Sequence, residues 1–292
     1  ALVLRPAHRD TAPQKNNDKV HNFETDPIET IIDGDWVRAN GTTLGADNCI
    51  GVAAGMAIIE SNDIQHGPLE LFITADEETG MYGAFGLEPG TLQGKLLMNM
   101  DSEDFGELYV GCAGGMDATI EWKYQGVALP VGDIALKVNI TGLKGGHSGL
   151  EINLGRANAN KLLFRFLKEA VSQYEARLAK VEGGNMRNAI PREAYAIITV
   201  PAEAREDIEK LVEEYRDLFN EEYKVTENPI VFTCEEVEAP EMLIPEEIQD
   251  DLINAVTACP NGVFRMIPAI PDTVETSMNL SIVEANAEEI SI

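Results

Sequence analysis

Positive charge is scarce in this chain. Lys and Arg number 22 against 50 Asp and Glu over 292 residues, for a formal net charge of −28. Binding the phosphates of a nucleic acid needs a basic footprint, so the imbalance argues against such a partner. An acidic field attracts divalent cations and repels anionic substrates. Solvated surface acid is expected to account for most of the excess. No run of about 18 apolar residues occurs, so no membrane-spanning helix is expected. No basic-then-apolar leader is visible at the start, so nothing points to secretion and a cytoplasmic location is expected. The four cysteines, Cys49, Cys112, Cys234 and Cys259, form no CxxC pair. Reduced, mostly buried thiols are the expectation.

Apolar residues make up 44% of the chain and charged residues 25%, the balance of a globular protein. The chain opens without Met in the apolar run Ala1-Leu2-Val3-Leu4 and closes in the alternating Glu289-Ile290-Ser291-Ile292. Both ends read as strands, and the sequence is expected to be part of a longer protein.

The first hundred residues alternate strands with helices. Apolar strands are expected at 69–74, 95–100 and 108–112, with a buried helix over 50–59. Such interleaving predicts an α/β domain with a mostly parallel sheet, whose ligands sit where strands end in loops. Beyond Gly114-Gly115 the pattern changes. Strands at 134–140, 194–200 and 230–233 and helices near 157–172 and 204–223 predict a β-α-β-β-α-β unit of α+β type. In the second helix Ile208, Leu211, Val212, Tyr215, Leu218 and Phe219 share one face. The domains are accordingly drawn at 1–114 and 115–292.

Acidic residues gather at the predicted strand ends of the first part. Acids are almost never buried unless paired or bound to metal. In His8-Arg9-Asp10, alternate strand residues share a face, so one side chain can hold a metal while the other orients the imidazole. Asp47 precedes a helix, where an N-cap is the common use of Asp. Of the adjacent Glu77-Glu78, one carboxylate can ligate while the other takes a proton from water. Asp101 ends an apolar strand. Each signal is weak alone; together, in order, they point to a two-metal hydrolase.

These stretches carry a family resemblance. Pro13-Gln14-Lys15-Asn16-Asn17, Gly41-Thr42-Thr43-Leu44-Gly45-Ala46-Asp47-Asn48, Glu77-Glu78-Thr79-Gly80-Met81 and Asp101-Ser102-Glu103 match in the first part. In the second, Gly145-Gly146-His147-Ser148-Gly149, Arg187-Asn188-Ala189-Ile190-Pro191-Arg192-Glu193 and Val274-Glu275-Thr276-Ser277 match. The chain resembles the aminoacylase–carnosinase group of dizinc metallopeptidases, among them the aminoacyl-histidine (Xaa-His or beta-alanyl-histidine) dipeptidases. Cys49 stands where those dipeptidases commonly have Gly.

The resemblance implies a zinc-exopeptidase-like α/β catalytic domain with an inserted α+β lid that also forms a homodimer. It implies two zinc ions, with cobalt or manganese as substitutes. His8 and Asp101 would hold one ion, Glu78 the other, and Asp47 both. Glu77 would be the general base toward a dizinc-activated water, and Asp10 would steady His8. His147 would donate to the oxyanion in a neighbouring subunit's site, and Asn188 would touch substrate. The peptide after Asp47 is often cis in this group. A further histidine ligand is expected from beyond residue 292, so the chain alone is expected to be weakly active at most. The expected reaction is hydrolysis of small dipeptides of the Xaa-His type. The alternatives are a non-catalytic fragment that associates through its lid, or an amino-acid deacylase of the same group.

Overall fold

The computed structural model describes residues 13–78, 80–102, 106–109 and 111–292, together with the backbone of residues 2–8. The chain divides into two compact units, Ala1–Cys112 and Ala113–Ile292.

The first unit is built on a three-stranded sheet. Strand Leu2–His8 lies in the middle and pairs in parallel with Leu69–Thr74 on one side and Leu96–Asn99 on the other. The register sets His8 beside Thr74 and Arg5 beside Asn99, so the carboxyl ends of the three strands lie at one edge of the sheet. Helix Ala46–Glu60 packs on the central strand. It is apolar nearly all round, which suits burial on every side, yet Ile50, Met56 and Ile59 are exposed. A separate hairpin joins Thr30–Asp33 to Trp36–Ala39. The strand expected at 108–112 does not form among the described residues of that stretch. Leu108 is 94% exposed there, with no sheet neighbour to cover it. An apolar pair without a partner strand gains nothing from the extended ladder.

The second unit holds the main core. Strand Asp133–Thr141, helix Ala159–Tyr174, strands Arg177–Gly183 and Ala194–Pro201, helix Arg205–Glu222 and strand Val231–Val237 follow the expected β-α-β-β-α-β order. The first strand sits between the fourth and third, and the second lies outside the third, all antiparallel. Val283–Ala285, Glu289–Ser291 and Glu121–Lys123 extend the sheet to seven strands. Alternation fixes which strand face is buried: Leu136, Val138 and Ile140 point into the core. Helix Ala159–Tyr174 covers them with Leu162, Leu163, Phe166 and Leu167. Its Asn158 cap accepts from the Lys161 amide at 3.2 Å. Phe166 meets Phe232 edge-on at 5.1 Å, the favoured aromatic arrangement. Helix Arg205–Glu222 buries Ile208, Leu211, Val212 and Phe219 as its spacing implies. Leu218 departs from that expectation. At 48% exposed it lies past the edge of the buried stripe.

Candidate metal centre and catalytic loop

Three of the predicted donors of the first unit, His8, Glu78 and Asp101, lie at or just past the carboxyl ends of its three strands. His8 is the last residue of the central strand. Its side chain and the whole of Asp10 lie outside the described residues. Two residues past Thr74 on the neighbouring strand, the chain turns at Asp76-Glu77-Glu78. The Gly80 and Met81 amides both donate to the Glu77 carbonyl, at 3.1 and 3.0 Å. The Gly83 amide returns to the Ala75 carbonyl at 3.1 Å. A Cβ on Gly83 would lie 2.5 Å from that same oxygen, so only glycine lets the chain fold back here. The result is a tight turn that carries Glu77 and Glu78, both half-buried, directly off the strand. Asp101, also half-buried, follows strand Leu96–Asn99 by two residues.

Asp47 enters from the start of helix Ala46–Glu60, where it is exposed. It does not act as a helical N-cap: its backbone is non-helical and the Asp47–Asn48 peptide is cis. The next side chain, Asn48, is 2% exposed and ties this segment to the sheet. Its amide donates to the Met100 carbonyl at 3.2 Å and to the Asp101 carboxylate. Its oxygen accepts from the Gly51 amide at 3.0 Å. One buried amide therefore sets the Asp47 segment against Asp101. In the sequence the one signal for Asn48 is its place beside Asp47.

Among the described residues no three His, Cys, Asp or Glu groups gather tightly enough to hold one ion. The donor chemistry itself, carboxylates joined by the imidazole of His8, fits zinc or a similar divalent cation.

His147 belongs to the second unit. Gly146–His147 forms a short ribbon with Ala189–Ile190, in which His147 faces Ala189. The Ser148 amide donates to the Asn188 carbonyl at 2.8 Å, so the two predicted residues His147 and Asn188 lie together. The imidazole is exposed. Its Nδ1 accepts from the Gly149 and Leu150 amides at 3.0 and 3.2 Å. A nitrogen that accepts two N–H bonds presents its lone pair, so the ring hydrogen sits on Nε2. Nε2 makes no hydrogen bond among the described residues, and its N–H is available to an incoming oxygen.

Residues 138–227 match the peptidase dimerisation domain. Over 290 residues the chain is 44% identical to the cytosol non-specific dipeptidase of Escherichia coli (strain K12), covering 99% of this chain and 60% of that protein. The crystal structure of aminoacylhistidine dipeptidase from Vibrio alginolyticus is similar with 46% identity and a TM-score of 0.66, over 99% of this chain and 59% of that one. An uncharacterised Bacillus subtilis (strain 168) protein, YqjE, is 25% identical over 202 residues, 66% of this chain and 50% of its own length. The chain thus spans about three-fifths of the length of its first two relatives. The second unit carries the match to a peptidase dimerisation domain, and over nearly its whole length the chain is similar to two dipeptidases.

Proposed function

We propose that the protein to which this chain belongs is a cytoplasmic metallodipeptidase that hydrolyses small dipeptides, those of the Xaa-His type among them. The similarity to a cytosol non-specific dipeptidase and to an aminoacylhistidine dipeptidase supports the substrate class, and the first of them the location. The observation that carries the reading is the tie between Asn48 and Asp101, which draws two predicted ligand segments together at the carboxyl edge of a parallel sheet. Residues 1–114 are assigned the catalytic role. Residues 115–292 are assigned the lid and homodimer contact, which the match over 138–227 supports.

In this reading His8, Asp47, Glu78 and Asp101 would hold a pair of zinc ions, with cobalt or manganese as substitutes. Asp10 steadies His8. The cations, when bound, supply charge that acidifies water and polarises the scissile carbonyl. Glu77 accepts the proton of the attacking water and hands it to the leaving amine. The Nε2–H of His147 from a partner copy donates to the oxygen on which negative charge develops. Asn188 contacts substrate beside it.

The test is Glu77→Gln in the full-length protein, assayed on beta-alanyl-histidine alongside elemental analysis. Turnover should fall by about 10²–10⁴-fold while bound metal is unchanged. Undiminished turnover removes Glu77 as the base, and a full-length protein that cleaves no dipeptide ends the proposal.

A further inference from the structure

The loop that carries His147 is held by two carboxylates with no assigned role. At its base, Glu227, 9% exposed, accepts from the Lys144 amide at 2.8 Å through one oxygen and from the Ala157 amide at 2.9 Å through the other. One buried side chain therefore closes both ends of the segment between residues 144 and 157. Lys144 adds a second strap, its ammonium donating to the Thr226 carbonyl at 2.6 Å. Inside the loop, Glu151 accepts from the His147 amide at 2.8 Å through Oε2 and pairs with Arg156 Nη2 at 2.8 Å through Oε1. Arg156 in turn donates through Nη1 to the Gly145 carbonyl.

The two glycines before His147 follow from this staple. A Cβ on Gly146 would strike Arg156 Nη1 and lie 2.6 Å from Glu151 Oε2, and its φ of +140° is open only to glycine. On Gly145, at φ +64°, a Cβ would meet the Ile190 carbonyl at 3.0 Å. Bare backbone lets the Glu151–Arg156 pair pass over the loop. Glu151 fixes the amide of His147, and the Gly149 and Leu150 amides then meet the ring of the same residue. Backbone and imidazole of His147 are locked by one short turn.

We infer that Glu151 is a positioning residue for His147: by holding the His147 amide and Arg156, it fixes the imidazole with Nδ1 accepting and Nε2–H facing outward. This rests on the reading of His147 as the oxyanion donor. A donor already aimed spends no reorganisation when charge appears. A charge-assisted bond to a backbone N–H is among the stronger hydrogen bonds, so Glu151 rather than the ring's own packing sets the geometry.

Two measurements separate the parts of this inference. Long-range 1H–15N spectra of the histidine rings, recorded in alkaline solution on the 292-residue chain, report which nitrogen carries hydrogen; His147→Gln assigns the signal. The unaltered chain should show His147 as the Nε2–H form. Glu151→Ala should bring the two ring nitrogens toward averaged shifts, and Glu151→Gln, which keeps an acceptor for the His147 amide, should retain much of the original pattern. Unchanged ring shifts in Glu151→Ala, with an unchanged melting temperature, overturn the inference. In the full-length enzyme the same Glu151→Ala change should lower kcat by on the order of 10- to 100-fold with little effect on KM. The spectrum reads positioning alone, and hydrolysis reads the role of His147. A loss confined to KM counts against the inference, because aim toward the transition state should appear in kcat.

Discussion

Replacing Asn48 tests whether one amide holds the candidate centre together. Asn48→Ala removes a bond to the Met100 carbonyl, a bond to the Asp101 carboxylate and the acceptor of the Gly51 amide. Neutral hydrogen bonds contribute about 1 kcal/mol net and those to a charge about 2 kcal/mol. The three together therefore stand near 4 kcal/mol, and relaxation of the site should bring the measured loss to about 3 kcal/mol. Gly51 is buried, so loss of the Asn48 oxygen takes a hydrogen bond from a buried amide. That penalty keeps the loss from collapsing to zero. Asn48→Asp retains the Gly51 acceptor but sets a second carboxylate against Asp101. It should be at least as damaging at neutral pH and recover partly in acid, where one of the pair takes a proton. Hydrogen exchange of the Gly51 amide is the direct assay. A local loss of about 3 kcal/mol accelerates exchange by roughly 150-fold. If exchange at Gly51 changes by less than about threefold in Asn48→Ala, the Asn48 amide is not what joins the Asp47 segment to the sheet.

Three further outcomes are expected. Phe166→Ala empties a fully buried site between Phe232 and Tyr215 and should cost about 3–5 kcal/mol in urea unfolding; a loss under about 1 kcal/mol would mean that the core of the second unit lies elsewhere. Mass spectrometry after brief alkylation should find Cys49 and Cys112, both exposed, modified before Cys234, whose thiol burial pushes up to about 11. The second unit should lose stability in alkali. Burial, with the nearby Glu289 charge, pushes the Tyr124 hydroxyl up to about 12, and burial with the bond to Glu169 does the same for Tyr215. A raised folded value contributes stability that is present below the ordinary value and lost as pH climbs through the raised one. The window therefore opens near 9.0 with Cys234 and near 10.0 with the tyrosines and closes toward 12, and a melting temperature flat across it would refute the assignment.

The second unit was legible in the sequence because its elements are strongly periodic. The helix Arg205–Glu222 alternates a buried stripe with charge, and its ends fall within a residue or two of the expected ones. Periodicity located five of the six elements of the β-α-β-β-α-β unit. Strand Arg177–Gly183 and helix Glu246–Ala258 escaped notice. Mixed charges break up the apolar pattern of the strand, as Lys180 and Glu182 alternate with Leu178 and Val181 on a half-solvated sheet. In the first unit the apolar runs at 69–74 and 95–100 marked strands correctly, and Leu108 did not, because an apolar run becomes a strand only where a neighbour pairs with it.

Composition and order by themselves determined that acids and imidazole sit where strands end, that a glycine-rich stretch carries His147, and that basic recognition surfaces are scarce. Those properties live in residue types and short spacings, which local physics reads directly. Tertiary structure alone decided which residues hold the chemistry in place. Asn48 reaches 53 positions along the chain to Asp101, and Glu227 reaches 83 positions back to Lys144. Long-range partners of this kind leave no periodic trace in the sequence, because a single hydrogen bond depends on where two distant segments meet and not on the residues that flank either one.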